Sequence, residues 1–251
     1  MDRAWWSLQR RDDAALGFTA RDGGYSTGDF QGLNLGAHVG DDAETVERNR
    51  AEVLDTLARM SGARALRPVF MNQVHGAEVR VITEVAQLDE PTPATDGVVT
   101  TLPDVALFTL VADCVPILLY DNAAGVIAAA HAGRAGMVAG VVRATVNAMR
   151  EVGVASIEAV VGPAVCGRCY EVPEHMRAEA AAAEPVSAAV SWTGTAAIDV
   201  AAGVVEQLHR EGISLSWLPG CTKETDRLFS HRRDGRTGRS AGVIARVQRR
   251  D

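Results

Sequence analysis

The sequence lacks the features that would fit it to a lipid bilayer or to a nucleic acid. No uninterrupted apolar run reaches the roughly 18 residues of a membrane-spanning helix. The longest candidate, residues 105–130, is interrupted by Asp113, Pro116, Asp121 and Asn122. The 25 basic residues are outnumbered by 32 acidic ones, which gives a net charge of −7. Because contacts with a phosphate backbone require positive charge, this balance argues against a general nucleic-acid binder.

Cysteine is also scarce, and the sequence shows no charged and apolar leader that would direct the chain out of the cell. We therefore expect a cytoplasmic protein in a reducing compartment, where disulfides are rare. The four thiols, Cys114, Cys166, Cys169 and Cys221, are then free, catalytic or bound to metal. We expect a monomer or a homodimer, with neither a membrane nor a nucleic acid as partner.

Hydrophobic periodicity predicts helices and strands that do not alternate strictly along the chain. The predicted helices cover residues 42–60, 136–152, 178–183 and 196–212. The predicted strands cover residues 68–71, 79–83, 105–111, 117–120, 126–130, 157–161 and 242–247. Clusters of strands followed by helices favour an α+β fold with mixed sheets over a doubly wound parallel sheet.

A histidine, a cysteine and a second histidine each stand at the terminus of a predicted strand, beside small residues. They are His75 in Gln-Val-His-Gly, Cys114 in Ala-Asp-Cys-Val-Pro and His131 in His-Ala-Gly. Two imidazoles and a thiolate suit Zn²⁺, and three protein ligands leave a fourth position for water or substrate. Cu²⁺ would also accept these donors. The long gaps between the three residues leave ordinary core or surface roles open for each.

A rival metal site uses the Cys-x-x-Cys motif of Cys166 and Cys169. Zinc nucleobase deaminases combine such a motif with His-x-Glu. Here Glu78 follows His75 one residue too late for that pattern, and Pro163 is not adjacent to Cys166.

A cysteine hydrolase is a third interpretation of the same residues. Cys114 would be the nucleophile, with His75 or His131 as its base. Asp113 beside the cysteine could orient the base or hydrogen-bond to it. The sequence alone does not separate this arrangement from a metal site.

Residues 229–239 are dense in arginine and glycine. One interpretation is a solvated basic loop. The other is an anion pocket, in which the forked guanidinium groups of Arg232 and Arg233 hold a phosphate or a carboxylate beside exposed backbone amides.

Short motifs along nearly the whole chain occur together in one known family. They lie at residues 17–24, 33–42, 49–50, 73–76, 96–97, 112–116, 131–133, 162–163, 169–172, 221–222 and 232–235. In this order they resemble the laccase-domain, or YfiH-like, family of purine nucleoside phosphorylases, once called polyphenol oxidases. The resemblance implies one domain over residues 1–251, with an α+β fold in which two mixed β-sheets pack between helices.

The resemblance also implies a function and a set of site residues. Zn²⁺ would be held by His75, Cys114 and His131. Adenosine, inosine and methylthioadenosine would react with phosphate to give free base and ribose 1-phosphate, and adenosine deamination would accompany this reaction. Deamination is a water attack on C6 of adenine that needs a carboxylate to move protons, and Asp113 and Glu78 are the candidates. The predicted substrate-binding residues are Asn34, His38, Arg232 and Arg233.

One motif departs from the family pattern, in which His-Ala-Gly is commonly followed by Trp-Arg-Gly. Here Arg134 and Ala135 follow, so an aromatic that could stack on a purine at this position is missing. The chain has only six histidines, too few for the copper cluster of a true polyphenol oxidase. The alternatives from other classes are a cysteine-centred amide hydrolase or peptidoglycan-precursor editing enzyme, and a structural-zinc module whose site a fourth protein ligand would close.

Overall fold

The computed structural model describes residues 3–11 and 14–246. In that part of the chain no helix combines the length and the apolar character needed to cross a bilayer. The α-helices are α1 (Ala43–Ser61), α2 (Arg134–Ala139), α3 (Val141–Glu151), α4 (Glu174–Ala183), α5 (Val200–Arg210) and α6 (His231–Asp234). The strands are β1 (Trp5–Arg11), β2 (Ala14–Thr19), β3 (Arg67–Phe70), β4 (Val79–Ile82), β5 (Gly97–Thr100), β6 (Val105–Val111), β7 (Val115–Asp121), β8 (Val126–Ala132), β9 (Glu158–Val161), β10 (Ala188–Val190), β11 (Ala196–Ile198), β12 (Ser214–Trp217) and β13 (Ser240–Arg246).

Most of the strands form two mixed sheets. One has the order β12-β9-β7-β8-β5-β4, with parallel pairs at both edges and antiparallel pairs between them. The other has the order β1-β2-β13-β6-β3 and is antiparallel except for its last pair. Strands β10 and β11 form a separate antiparallel pair.

The two sheets face each other, and helices cover their outer faces. Strand β7 shows this in its alternation, because Ile117 and Leu119 pack towards the helices α2, α3 and α5 whereas Leu118 and Tyr120 pack towards the other sheet. Helix α1 covers the second sheet, where Val53 and Leu57 lie in one cluster with Phe108 of β6. The predicted α+β fold, with two mixed sheets packed between helices, is confirmed. The extent of the predicted domain, residues 1–251, stays a prediction.

The predicted helices at 42–60 and 178–183 are confirmed as α1 and as part of α4. Helix α1 begins where the Asp42 carboxylate accepts a hydrogen bond from the backbone N–H of Thr45 at 2.8 Å, and it ends at Gly62, whose φ is 81°. All seven predicted strands coincide with strands of the structure, namely β3, β4, β6, β7, β8, β9 and β13. The last of them was predicted to end at Val247, which lies outside the described residues.

Two predicted helix extents are wrong. The predicted helix at 136–152 is two helices, because Gly140 adopts a φ of 86° that ends α2 and precedes α3. The predicted helix at 196–212 begins too early, because Ala196–Ile198 forms strand β11. Helix α5 starts only after Asp199, whose side chain accepts a hydrogen bond from the backbone N–H of Ala202.

Candidate functional site

The register of the six-stranded sheet brings Cys114, His131 and Asp96 together where the ends of three inner strands meet. Strand β7 is antiparallel to β8, and β8 is antiparallel to β5, with Pro116 opposite His131 and Gly97 opposite Ala130. The start of β7, the end of β8 and the start of β5 therefore lie side by side. Cys114 precedes β7 directly and Asp96 precedes β5 directly, so both lie next to His131.

His75 reaches the same place from the loop between β3 and β4. The carboxylate of Asp96 accepts hydrogen bonds from three successive backbone N–H groups of this loop, at 3.1 Å from Val74, 3.0 Å from His75 and 2.7 Å from Gly76. Asp96 is fully buried. The loop is thus fixed by one ionised group, and the position of His75 follows from the position of Asp96.

The three residues predicted as metal ligands meet in space. The candidate ligand atoms of His75, Cys114 and His131 all lie within 4.8 Å of one another. The Sγ atom of Cys114 is 3.7 Å from Nε2 of His75. The two imidazole rings approach edge to face, with centroids 4.8 Å apart. His131 is buried, Cys114 is half-buried and His75 is exposed, so the cluster opens towards solvent on one side.

The orientation of His131 suits a metal ligand. Its Nδ1 lies 2.7 Å from Oδ1 of Asp96, which leaves Nε2 for the cluster. A carboxylate that holds the other ring nitrogen of a ligating histidine is common at metal sites, because it fixes the tautomer and the ring orientation. Asp96 thus holds both histidines, His131 through a side-chain bond and His75 through the backbone.

The electrostatics of the cluster favour a thiolate beside an imidazolium in the absence of metal. Burial would raise the pKa of Cys114, but His131 and His75 outweigh it and lower the pKa to about 6. Burial would lower the pKa of His131, but the Cys114 thiolate and Asp96 raise it to about 9. Burial would likewise raise the pKa of Asp96, but bonds from His131, Gly76 and Val74 lower it. The cluster therefore holds an ionised thiol at neutral pH, as a metal ligand must be.

Strained backbone angles and a tightly packed glycine also mark this end of the inner strands. His75 and Asp113 have φ angles of 62° and 93°, which non-glycine residues rarely adopt. Gly133, which precedes α2, packs directly on the cluster. A Cβ at this position would lie 2.6 Å from Cδ2 of His75 and 3.2 Å from Sγ of Cys114. Only glycine leaves room for the two ligands.

The cluster forms part of the wall of a cavity of about 790 Å³, a size typical of small-molecule sites. Two aromatic residues, Phe70 and Tyr170, and four apolar ones, Met71, Leu110, Val165 and Val200, also line it. The remaining lining includes the amides of Asn72 and Gln73 and a set of basic residues: His38, Arg50, Arg134, His231, Arg232 and Arg239.

Positive charge is concentrated on one part of this wall. Desolvation first, and then the charges of Arg239 and Arg50, lower the pKa of His38. Arg50 lies over the ring of Phe70 at 3.9 Å and pairs with the exposed Glu47. The guanidinium of Arg239 donates to backbone carbonyls at 2.9 and 3.0 Å. Burial lowers its pKa, and the charges of Cys114 and Asp113 oppose this effect only in part. Such a wall suits an anion.

The predicted catalytic residue Asp113 and the predicted substrate residue Arg232 both line the cavity. One oxygen of Asp113 accepts hydrogen bonds from the hydroxyls of Thr222 and Ser230 at 2.6 and 2.7 Å, and the other from the backbone N–H of Arg232 at 2.7 Å. Asp113 therefore anchors the segment that contains Arg232. The Arg232 guanidinium lies over the ring of Tyr170, at 4.3 Å.

The other predicted substrate residues divide between the cavity and the scaffold. His38 lines the cavity. Arg233 directs its guanidinium to the carbonyls of Thr222, Thr225 and Leu228 and to Asp234. Asn34 is fully buried, where its side chain bonds Asp41, Gly36 and the N–H of Arg239. The contacts of Arg233 and Asn34 are those of residues that shape the loops behind the cavity wall.

Sequence reasoning missed Asp96, Arg50 and Arg239 as site residues. All three belong to motifs or segments that the sequence marks, since Asp96 precedes a glycine and Arg239 ends the arginine-rich stretch. No local signal separates them from ordinary polar residues. The rival metal site, which resembles that of zinc nucleobase deaminases, does not come together in the fold. His75 groups with Cys114, whereas Cys166 and Cys169 group with Cys221 and Glu224.

Comparisons with known proteins identify the family to which the chain belongs. A family model described as multi-copper polyphenol oxidoreductase laccase matches residues 15–247. A purine nucleoside phosphorylase of Streptomyces coelicolor is 52% identical over 234 residues, which cover 92% of this chain and 95% of that protein. The crystal structure of YlmD from Geobacillus stearothermophilus is 30% identical with a TM-score of 0.84 and covers 96% of this chain and 99% of that one. A Neisseria meningitidis protein is 32% identical with a TM-score of 0.83 and covers 98% of this chain and 100% of that one. The chain belongs to the laccase-domain, or YfiH-like, family.

Proposed function

We propose that this protein is a zinc-dependent purine nucleoside phosphorylase with an accompanying adenosine deaminase activity. Its substrates would be phosphate and adenosine, inosine or methylthioadenosine, and its products a free base and ribose 1-phosphate. One observation carries the proposal: a single cavity contains the His75, Cys114 and His131 cluster together with a wall of basic side chains. The name of the Streptomyces coelicolor relative supports the reaction class.

Zn²⁺ fits the cluster by the chemistry of its donors. The donors are one thiolate and two imidazoles, and the Nδ1 of His131 is already held by Asp96. When bound, Zn²⁺ would supply Lewis-acid polarisation of a substrate oxygen. Cu²⁺ accepts the same donors and is the alternative metal.

The cationic wall gives the phosphate a place beside the nucleoside. In phosphorolysis an oxygen of phosphate forms a bond to C1′ of the ribose while the bond from C1′ to the purine nitrogen breaks. The ribose carries positive charge in the transition state, so a phosphate dianion held at the correct face stabilises it electrostatically. Arg50 and Arg239, with His38 beside them, are our candidates to hold the phosphate. Arg232, which lines the same cavity and lies over the Tyr170 ring, remains a candidate.

The purine would use the apolar part of the cavity. The rings of Phe70 and Tyr170 offer the flat apolar surface that a base requires. Arg134 stands where family members commonly have tryptophan, and it forms an ion pair with Glu179 at 2.8 Å.

For deamination, Asp113 is the only carboxylate among the described residues that line the cavity, and we propose it as the group that moves protons to and from C6.

A cysteine hydrolase is the second candidate, and one observation favours it. Cys114, His131 and Asp96 stand in the order of nucleophile, base and orienting carboxylate, and the pKa of Cys114 is lowered to about 6. Against it, His75 Nε2 lies 3.7 Å from the same sulfur, and a second imidazole is required for a metal site but not for such a nucleophile.

The test is product chromatography with adenosine, with and without phosphate, before and after removal of metal by a chelator. We expect adenine, hypoxanthine and ribose 1-phosphate only with phosphate, and inosine with or without phosphate. Chelation should stop both reactions, and added Zn²⁺ should restore them. Cys114→Ser should lose the zinc of this cluster and its activity together, because a hydroxyl is a poor substitute for a thiolate ligand. Zinc-loaded protein that releases no base from any purine nucleoside would refute the phosphorylase. Activity on amides that survives chelation, but not alkylation of Cys114, would establish the hydrolase.

A further inference from the structure

Three of the four cysteines form a second cluster with one glutamate. The ligand atoms of Cys166, Cys169, Cys221 and Glu224 all lie within 4.8 Å of one another, and the three thiols are free. The proposed reaction uses none of these side chains. Cys169 is buried, Cys166 and Cys221 are half-buried and Glu224 is exposed, so the cluster lies just beneath the surface.

The cluster is built from two similar tight turns. Cys166 and Cys169 are separated by two residues, and so are Cys221 and Glu224. In the first turn the N–H of Cys169 donates to the carbonyl of Cys166 at 2.9 Å, and in the second the N–H of Glu224 donates to the carbonyl of Cys221 at 3.2 Å. A β-bridge between Ala164 and Cys221 holds the two turns side by side. Paired turns that each present two ligands are the usual way in which structural zinc sites are assembled.

Backbone N–H groups point at two of the sulfur atoms. The N–H of Cys166 lies 3.5 Å from Sγ of Cys221, and the N–H of Arg168 hydrogen-bonds the sulfur of Cys166. Such bonds offset the negative charge of a thiolate that binds a metal. The carboxylate of Glu224 is also oriented, because Nε1 of Trp192 donates to its Oε1 at 2.9 Å.

The spacing of the donors matches a small tetrahedral site. Zinc bonds of about 2.3 Å to sulfur and about 2.0 Å to oxygen place a sulfur and an oxygen ligand about 3.5 Å apart. Without metal, the Cys169 thiol donates a hydrogen bond to Oε1 of Glu224 with an S···O distance of 3.3 Å, close to that separation. Sulfur donors exclude the hard cations Mg²⁺ and Ca²⁺, and no histidine is needed to complete the set.

We propose that Cys166, Cys169, Cys221 and Glu224 form a structural Zn²⁺ site, separate from the His75, Cys114 and His131 cluster. Four protein ligands close the coordination sphere, so the site binds no substrate and instead ties the segment 220–224 to the segment 164–170. Both segments shape the cavity. Val165 and Tyr170 line it, and Thr222 donates to Asp113 at 2.6 Å. The second zinc would therefore stabilise the wall that faces the first.

The test is metal analysis of protein purified without added chelator. We expect two zinc atoms per chain in the wild type, one in His75→Ala and one in Cys166→Ser. A Cys166→Ser,His75→Ala double variant should hold none. Glu224→Gln should weaken the retention of one zinc at least tenfold in a chelator competition, and Glu151→Gln, an exposed carboxylate of α3, should leave both in place.

Replacement of zinc by Co²⁺ in the wild type tests the same proposal without any variant. The thiolate-to-cobalt absorption should indicate four thiolates per chain in total, three at this site and one at Cys114. Several results would overturn the proposal. One is a wild-type protein that contains a single zinc, together with a His75→Ala variant that contains none. Others are an absorption from one thiolate only, or a disulfide among the three cysteines in freshly purified protein. None of these results bears on the phosphorylase assay, so the two proposals fail separately.

Discussion

Replacement of Asp96 by asparagine tests whether one buried carboxylate holds both histidines of the candidate metal site. Oδ1 accepts hydrogen bonds from the backbone of His75 and from Nδ1 of His131, and Oδ2 accepts from Val74 and Gly76. An asparagine has only one acceptor oxygen. Whichever oxygen becomes the amide nitrogen, two N–H donors lose their partner and face another donor.

The expected magnitude follows from these four bonds. Each buried donor that loses its acceptor costs about 1–3 kcal/mol, so Asp96→Asn should lower the free energy of unfolding by about 2–6 kcal/mol. Loss of an orienting carboxylate typically weakens metal affinity about 10- to 100-fold. Zinc affinity would be measured by competition with a chromophoric chelator, and stability by urea unfolding of the zinc-free protein.

Asp121→Asn is the matched control. Asp121 also accepts three backbone N–H bonds, from Ala123, Ala124 and Ser156. It ends β7, whereas Cys114 precedes the start of the same strand, roughly 20 Å away at the rise of an extended chain. We expect Asp121→Asn to lose stability but to keep its zinc affinity. Equal metal affinity in wild type and Asp96→Asn, or equal loss in both variants, would refute the reasoning.

Two further predictions concern the walls of the cavity. Gly133→Ala should abolish zinc binding at the His75, Cys114 and His131 cluster, because its Cβ would lie 2.6 Å from the His75 ring. Gly76→Ala, with its nearest contact at 3.6 Å, should keep this zinc, and equal zinc content in the two variants would contradict the prediction. Arg239→Ala should raise the KM for phosphate at least tenfold with little change in the KM for nucleoside. Arg233→Ala should instead lower the melting temperature and leave the phosphate KM unchanged, and the reverse pattern would place the phosphate at Arg233.

The sequence predicted the strands that carry the site better than the loops that complete it. Strands β6, β7 and β8 are buried along their whole length and mostly apolar because both faces are covered, and such runs are easily found. Strand β2 has six buried residues too, but Gly17 and small alanines weaken its pattern. The break at Gly140 was also missed, since the apolar periodicity runs on through it.

At the site too, residues in recognisable motifs could be predicted from the sequence, whereas roles that depend on contacts distant in the chain could not. The three metal-ligand candidates stand at strand termini, and the family motifs mark them, so sequence alone could single them out. The role of Asp96 depends on the register of β5 against β8, which places it next to His131. Arg50 and Arg239 come together only through the fold, and Arg233 resembles Arg232 in sequence although its guanidinium bonds backbone carbonyls instead.

The Cys114–His131 pair predicts an unusual pH dependence for the zinc-free protein. The pKa of Cys114 falls from 9.0 to about 6 on folding. The ionised thiol therefore contributes fully to stability above pH 9, and this contribution is lost as the pH falls towards 6. The pKa of His131 rises from 6.5 to about 9, so its contribution is complete below 6.5 and is lost as the pH rises through 9. Between these limits the two slopes are opposite in sign and each corresponds to one proton.

The two contributions should therefore cancel between about pH 6.5 and 9, and the pair should add no slope to the stability of the wild type. Cys114→Ser removes one of them. His131 still gains a raised pKa from Asp96, so the stability of this variant should fall relative to wild type as the pH rises, by at most about 1.4 kcal/mol per pH unit. Urea unfolding of both zinc-free proteins across this range gives the difference directly, because all other titrating groups are shared. A constant difference would contradict this prediction: either Cys114 is a protonated thiol in the zinc-free protein, or His131 loses its raised pKa together with the thiolate.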